Sequence, residues 1–499
     1  MSQIPKEIMQ HRTRGTEIKK VGKHYYIQRV KCVWDPQAKK RRKMVIGYIG
    51  SVTESGIQPK GKRIIRNCAV PYSKEFGATW VARELSCDIY KCLEQHFEHD
   101  APFIYVVAIL RCIHPCAMRY LEHHYETSWL SELFPDLDMR SETVSQNMKR
   151  LGAKRNAITT FMKDFVPSRD WFAIFDSTSM ICNSKQIHEA QRGYNAHAHN
   201  APQINLMYAL ALKDDNLAPV FYKRYPGSIR DVSAFRNMAN DMGLTTALII
   251  ADKGFTKNSE CKRFECDGLT YVMPLRRNST EYSRTALQQP GHLGFTGRFK
   301  YNGRIIWFVE EKPTEDATHK YCLYLDESLH HAESSSLRIM DKIGRETPEA
   351  LRTAAQKQLE YGTFALKTNL LDSTPERIYR AYKTREEIEQ LFDMYKSEEQ
   401  FATTGMHSAQ TQEACLFFNH LSLMIAYRVY ERLKKNNKLK EYAIQKTLEH
   451  LLKDIRATRF GSDKWQLEPV PKVARLALEA IGVCLPEAIS TDSVYSPKS

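Results

Sequence analysis

Trp171-Phe172-Ala173-Ile174-Phe175-Asp176 and Thr246-Ala247-Leu248-Ile249-Ile250-Ala251-Asp252 are the two stretches on which the fold turns. Each is an unbroken apolar run of strand length that closes on an aspartate, as strands buried on both faces of a sheet do. Between them the sequence predicts two more strands, Ile204–Leu212 and Leu217–Tyr222, joined through Asp214-Asp215-Asn216. A helix is expected over Asp231–Met242, stopping at Gly243, and a further strand over Leu269–Met273. Strands and helices in this order predict an α/β core. Open α/β sheets place their chemistry at the carboxyl ends of strands, and Asp176 and Asp252 would stand there side by side. Aspartate also starts turns, so at this point both readings of the two acids stay open.

The rest of the 499 residues surrounds that core. The chain is 42% hydrophobic and 26% charged, close to the globular average, which excludes collagen-like, wholly disordered and disulfide-scaffold classes. Its net charge of +15 is unevenly spread. Residues 1–66 hold seventeen Lys and Arg against four acids, a net of +13, leaving +2 for the remaining 433. A basic arm of that kind points to a polyanion, most often nucleic acid. Within it, residues 24–50 alternate as a hairpin that turns at Asp35-Pro36-Gln37. Its tip carries Lys39, Lys40, Arg41, Arg42 and Lys43, which on a β-ribbon are candidates for DNA phosphates, a solvated loop being the plain alternative.

Residues 71–166 lack strand alternation and read as a helical DNA-binding or linker region. Residues 278–362 return to β-like alternation, and beyond Thr374-Pro375 everything reads as helix to about residue 480. The opening Met1–Lys6 has no apolar core, so no signal peptide is expected. The longest apolar stretch, Cys415–Tyr430, is interrupted by Asn419, His420 and Arg428 and is too short for a span. No membrane partner and a cytoplasmic location are therefore expected. Twelve cysteines without a C-x-x-C pair fit reduced thiols, and Cys112-Ile113-His114-Pro115-Cys116 reads as ordinary buried thiols, with no second half for a zinc site.

A third acid comes from the segment 375–397. Thr374 suits the N-cap and Pro375 the first helical position. Projected at about 100° per residue, Tyr382, Arg385, Glu389, Phe392 and Lys396 share one arc beside an apolar stripe of Ala381, Ile388, Leu391 and Tyr395. A salt-bridge stripe is the structural alternative. Three carboxylates from two strands and a helix suit a pair of Mg²⁺ ions, which prefer hard oxygen donors and which promote phosphoryl transfer without a protein nucleophile. No P-loop, G-x-S-x-G or H-E-x-x-H is present, which argues against NTPase, triad-hydrolase and zincin chemistry.

The spacing Tyr382-x2-Arg385-x3-Glu389-x6-Lys396 resembles the "YREK" signature of DDE transposases of bacterial insertion sequences, the IS-four-type superfamily. Asp176 in its apolar strand, Tyr225-Pro226-Gly227-Ser228-Ile229-Arg230-Asp231 and Asp252-Lys253-Gly254-Phe255 agree with that family, with Ser228 where Asn is usual. The basic hairpin and Gly482-Val483-Cys484-Leu485-Pro486 resemble, more weakly, its sixteen-thirty-four-type branch.

The resemblance implies an RNase H-like catalytic core, a mixed five-stranded sheet with helices, split between residues 167–277 and 363–400. A β-rich insertion would occupy 278–362, with a basic arm over 1–70, a helical region over 71–166 and a helical C-terminal region over 401–499 with a possible role in dimerisation. It implies Asp176, Asp252 and Glu389 as the metal-binding catalytic triad for two Mg²⁺, with Mn²⁺ as a substitute. Tyr382, Arg385 and Lys396 would contact DNA near the cleaved end, and Trp307 is a candidate for stacking on a flipped base. The implied partners are the terminal inverted repeats, target DNA and a second copy of the chain in a synaptic complex, on the bacterial nucleoid. The competing functions are a structure-selective nuclease without strand transfer and a catalytically silent DNA-binding regulator.

Overall fold

The computed structural model describes residues 4–22, 24–35, 40–59, 71–168, 171–193, 201–213, 216–229, 231–244, 248–250, 258–266, 268–277, 279–342, 360–384, 406–444, 446–461 and 464–489. It divides into two compact units, residues 1–71 with 460–462, and the remainder.

In the first unit a short helix α1 (Lys6–Met9) precedes an antiparallel sheet of β1 (Thr16–Val21), β2 (His24–Asp35), β3 (Lys40–Thr53) and β4 (Gly56–Pro59), in that order. The expected hairpin is β2–β3. Its base closes over a small core of Ile8, Ile18, Ile27 and Val52. The register slips between Ile27 and Gln28 and again between Arg29 and Val30; such bulges bend and twist a ribbon.

Strand β5 (Pro71–Glu75), which enters the second unit at Tyr72, is followed by a run of helices: α2 (Gly77–Glu84), α3 (Cys87–Phe97), α4 (Ala101–Ile113), α5 (Leu121–Thr127), α6 (Leu130–Leu133), α7 (Ser141–Gly152) and α8 (Arg155–Asp164). Helix α4 reads APFIYVVAILRCI and is buried at every position but Pro102, as an all-round apolar helix must be.

The central sheet follows, built from β6 (Phe172–Ile181), β7 (Gln191–Arg192), β8 (Pro202–Lys213), β9 (Asn216–Pro226), α9 (Asp231–Met242), β10 (Leu248–Ile250), α10 (Asn258–Cys266) and β11 (Thr270–Leu275). Its spatial order runs β9-β8-β6-β10-β11. Strands β8 and β9 are antiparallel to their neighbours, while β6, β10 and β11 are mutually parallel. Ala173, Ile174 and Phe175 are wholly buried in its centre.

Next come α11 (Thr285–Gln288), β12 (Gly297–Tyr301), β13 (Arg304–Glu311), β14 (Lys320–Asp326), α12 (Glu327–Lys342) and β15 (Thr363–Thr368). Residues 297–326 carry the β-strands expected of the 278–362 segment, and they join the central sheet through β15, which pairs antiparallel with both β11 and β14. The five strands β9-β8-β6-β10-β11 are thereby extended by β15, β14, β13 and β12, and with the short β7 at the other edge they make a ten-stranded mixed sheet among the described residues. The same segment also holds the sixteen-residue helix α12, which Asp326 caps by accepting from Leu329 N at 3.1 Å.

A helix α13 (375–384) and the 27-residue α14 (Ala409–Lys435) come next. Helix α14 is threaded through the main core: Ser422 Oγ donates to Ala108 O at 2.9 Å, and Arg111 Nε donates to Asn419 Oδ1 at 2.9 Å. The expectation of helix throughout to residue 480 fails at β16 (Arg456–Phe460) and β17 (Gln466–Leu467), which form a small sheet with β5 before the last helix, α15 (Lys472–Ile481). No single helix among the described residues is long and apolar enough to cross a membrane.

Candidate functional site

The strand carrying Asp176 does not end there. On one side β8 pairs with β6 through Ile181, opposite Gln203, so Asp176 lies mid-strand with Tyr208 as its register partner. On the other side β10 is described only to Ile250, which pairs with Ile174. Ile174 and Ile250 each stand two residues before their aspartate, Asp176 and Asp252. Asp252 itself, with Glu389, Arg385, Lys396 and Lys39, lies outside the described residues, and of Asp176 only the backbone is described.

Behind Tyr208 the sheet packs on α14. His420 lies against the rings of Tyr208 and Tyr222, at 6.2 and 5.3 Å between centroids. It is completely buried, and burial pushes its pKa down to about 3, so the ring is neutral. Nearer the start of the same helix, Glu413 is buried beside Arg155 of α8, Arg224 of β9 at 3.0 Å and the Tyr222 hydroxyl at 2.9 Å. Arg224 also reaches Glu189 at 3.2 Å. This ionic cluster joins α8, β9 and α14 and reaches the segment before β7.

The Pro226-Gly227-Ser228 turn closes that edge. Gly227 N donates to Glu189 O at 3.1 Å, and Asn205 Nδ2 donates to the carbonyls of Gly227 and Ile229 at 3.3 and 2.9 Å. A Cβ on Gly227 would come within 2.3 Å of Gln203 O and 2.4 Å of Gln191 O, so only glycine fits. Ser228, standing where Asn is usual in the family it resembles, donates its hydroxyl to Gln191 Oε1.

The start of α13 is pinned in place. Thr374 Oγ1 accepts from Arg377 N at 3.3 Å, the cap its sequence predicts. Lys320, 1% exposed at the head of β14, donates to Leu371 O and Ser373 O, both at 2.8 Å, and to Glu310 at 2.9 Å. Tyr324 OH donates to Pro375 O at 2.8 Å. Farther along α13, Tyr379 packs on Phe299 and Tyr324. Strand β14 thus fixes the start of α13. No spacing signal in the sequence singles out Lys320 or Tyr324.

Two of the sequence's candidates are tied up in packing. Tyr382 is 7% exposed, with its ring 4.8 Å from that of Phe364. Trp307 is half-buried: its indole N–H donates to Glu327 at 2.6 Å, His292 stacks on it at 4.8 Å, and the Arg298 guanidinium lies over the ring at 5.2 Å. A base could stack there only by displacing one of these neighbours.

The β2–β3 ribbon is the opposite case. Lys40, Arg41, Arg42 and Lys43 are all exposed on β3. Trp34 pairs with Arg41 and Cys32 with Lys43 on one face, while Val33 pairs with Arg42 and Lys31 with Met44 on the other. Both faces are open: Trp34 is 58%, Met44 56% and Ile46 57% exposed. Lys43 also meets Glu17 at 3.1 Å.

A family model described as "Transposase DDE domain" matches residues 167–425, just over half of the chain. A cryo-EM structure of a piggyBac transposase synaptic complex with hairpin DNA aligns at 12% identity and a TM-score of 0.38, over 87% of this chain and 89% of that one. At that score the two share too little geometry for residues to be carried across. No curated protein matches.

Proposed function

The chain belongs to the transposase DDE domain family, and from that membership we propose that it is an insertion-sequence transposase with the Y-R-E-K signature, in the IS-four-type superfamily and its sixteen-thirty-four-type branch. It binds the terminal inverted repeats of its element, cleaves the ends and transfers the freed 3′-OH to target DNA, working as a homodimer in the synaptic complex on the bacterial nucleoid. The observation that carries the reading is the sheet order β9-β8-β6-β10-β11, two antiparallel strands followed by three parallel ones, with β6 and β10 paired up to Ile174 and Ile250. That order supports an RNase H-like core, with Asp176 within β6 and Asp252 two residues after Ile250 of the adjacent β10 in the sequence.

Asp176, Asp252 and Glu389 are hard oxygen donors, a set that suits Mg²⁺, with Mn²⁺ as a substitute. They would hold two ions, whose chemistry is to activate the attacking oxygen and stabilise the leaving one. The protein's own work is positional. Lys320 and Tyr324 anchor α13 so that Glu389 approaches from a fixed start, and Arg385 and Lys396 on the same arc would neutralise DNA phosphates beside the acids. The β2–β3 ribbon, of a size the major groove admits, would grip the terminal repeat.

Substitution tests this reading. Asp252→Asn is expected to retain end binding in a gel shift and to lose Mg²⁺-dependent nicking of an end-containing duplex. Cut ends at the wild-type rate would refute the metal assignment. Joined products from a pre-cleaved end and wild-type protein separate a transposase from a nuclease.

A further inference from the structure

Away from the catalytic face, three side chains of different donor chemistry converge where α3 meets the end of α8. Cys92 and His96 lie four residues apart on α3, hence on one side of it. Asp164 is the last residue of α8. His96 Nε2 lies 2.6 Å from Asp164 Oδ2, and the Cys92 thiol donates to the same oxygen at 3.6 Å. The three ligand atoms all lie within 4.8 Å of one another. The His96 ring is held edge-on to Phe161, one turn back on α8, at 6.1 Å.

We propose that Cys92, His96 and Asp164 form a binding site for a single Zn²⁺ ion that clasps α3 to the end of α8. One sulfur, one nitrogen and one oxygen are a donor set that suits a borderline-soft divalent ion and not Mg²⁺. With Zn–S near 2.3 Å and Zn–N or Zn–O near 2.0 Å, ligand atoms of a tetrahedral site stand about 3.3–3.8 Å apart. The sulfur–oxygen separation already has that value, the His96–Asp164 contact has to open by under about 1 Å, and the Cys92 and His96 ligand atoms, which lie within 4.8 Å, have to close by at most about 1.3 Å. An ion pair accounts for His96 and Asp164 alone; it gives no reason for a thiol on the same carboxylate oxygen. Three protein ligands leave the fourth position to water. Ligation of the Cys92 sulfur releases the thiol proton to solvent. The clasp bears on the catalytic unit through the chain itself, because Asp164 stands eight residues before Phe172, the first residue of β6.

The test uses the full chain stripped of metal, with excess Mg²⁺ present to occupy carboxylate sites. Co²⁺ is the probe, because a cobalt–thiolate charge-transfer band reports sulfur ligation directly. One equivalent of Co²⁺ should raise that band, and Zn²⁺ should abolish it. Cys92→Ser should cut the band at least tenfold, and Zn²⁺ should raise the Tm of the wild type but not of His96→Ala. Asp164→Asn, which keeps the side-chain volume, should weaken Zn²⁺ binding at least tenfold with its circular dichroism unchanged. No thiolate band, or a band that survives Cys92→Ser and disappears in Cys116→Ser, overturns the proposal.

Discussion

Lys320 and the cluster Lys40–Lys43 are the same chemistry put to opposite uses. Lys320 sits 1% exposed in the transposase unit with its ammonium spent on two carbonyls and a carboxylate. The ribbon's cations stand in water on both faces of a two-stranded arm, among exposed Trp34, Met44 and Ile46. Where a cation is buried and satisfied, it is part of the scaffold. Where cations are exposed beside unpartnered apolar surface, their interaction free energy is still available to a partner. Composition sees only a total of +15; the structure separates scaffold charge from binding charge, and substitutions at the two places should separate them again.

The largest effect is expected at Lys320. Lys320→Met keeps the aliphatic stem but strands two carbonyls that held the approach to α13. Leaving such groups unpaired costs about 2–4 kcal/mol. Urea denaturation should show the midpoint falling with the slope unchanged. Under the proposed function, end cleavage should fall with it, because α13 loses its anchor. A variant as stable as wild type would mean that Tyr324 alone fixes the helix start.

Next comes the buried ring on the far side of the sheet. His420 is neutral in the folded chain, with its pKa pushed down to about 3 from 6.5. Between those values the unfolded chain binds a proton that the native one does not, so stability is full above pH 6.5 and falls as the pH drops toward 3. The slope from this group is about 1.4 kcal/mol per pH unit. His420→Leu should flatten the stability curve between pH 6 and pH 4 by about that amount. An identical acid limb in wild type and variant would place the acid sensitivity elsewhere.

How much of this is legible in the sequence depends on how local the signal is. The ribbon can be read because its alternation is contained within thirty residues; the expected turn at Pro36-Gln37 lies outside the described residues. The central strands can be read because burial on both faces writes a continuous apolar run, and α9 because Gly243, at φ +70°, ends it. Asp176 reads as a strand end, yet β6 runs past it along β8, while β10 on the other side is described only to Ile250. A single strand cannot reveal two different neighbours. Strand β16 escapes because one of its partners, β5, lies near residue 73, and pairing at that distance leaves no local trace; β17, paired with β16, is only two residues long. Helix α12 escapes although its cap, Asp326, stands in plain view ahead of a run of helix formers. Of the candidate site, the sequence offers the acids and the arc around Glu389 as expectations, of which Asp252 and Glu389 lie outside the described residues. It cannot give Lys320, whose role exists only once β14 lies against the loop at 371–373, nor can it show that packing occupies Tyr382 and Trp307.

The smallest effect on the fold, and the sharpest on binding, is expected in the ribbon. Lys40→Ala, Arg41→Ala and Arg42→Ala remove exposed charges without stranding a buried group, so each should leave stability within about 0.5 kcal/mol. Their cost should appear in DNA. Every cation that no longer neutralises a phosphate reduces the slope of log K against log salt by about 0.9 on duplex DNA, so the triple variant should bind less steeply by about two to three units. If the ribbon touches only phosphates, the loss will be equal on terminal-repeat and unrelated duplexes. If its exposed apolar residues also read the groove, Trp34→Ala will weaken repeat binding while leaving the salt slope unchanged. Loss of slope from Lys320→Met in a protein still folded would break the comparison, since it would make the buried cation a binding charge after all.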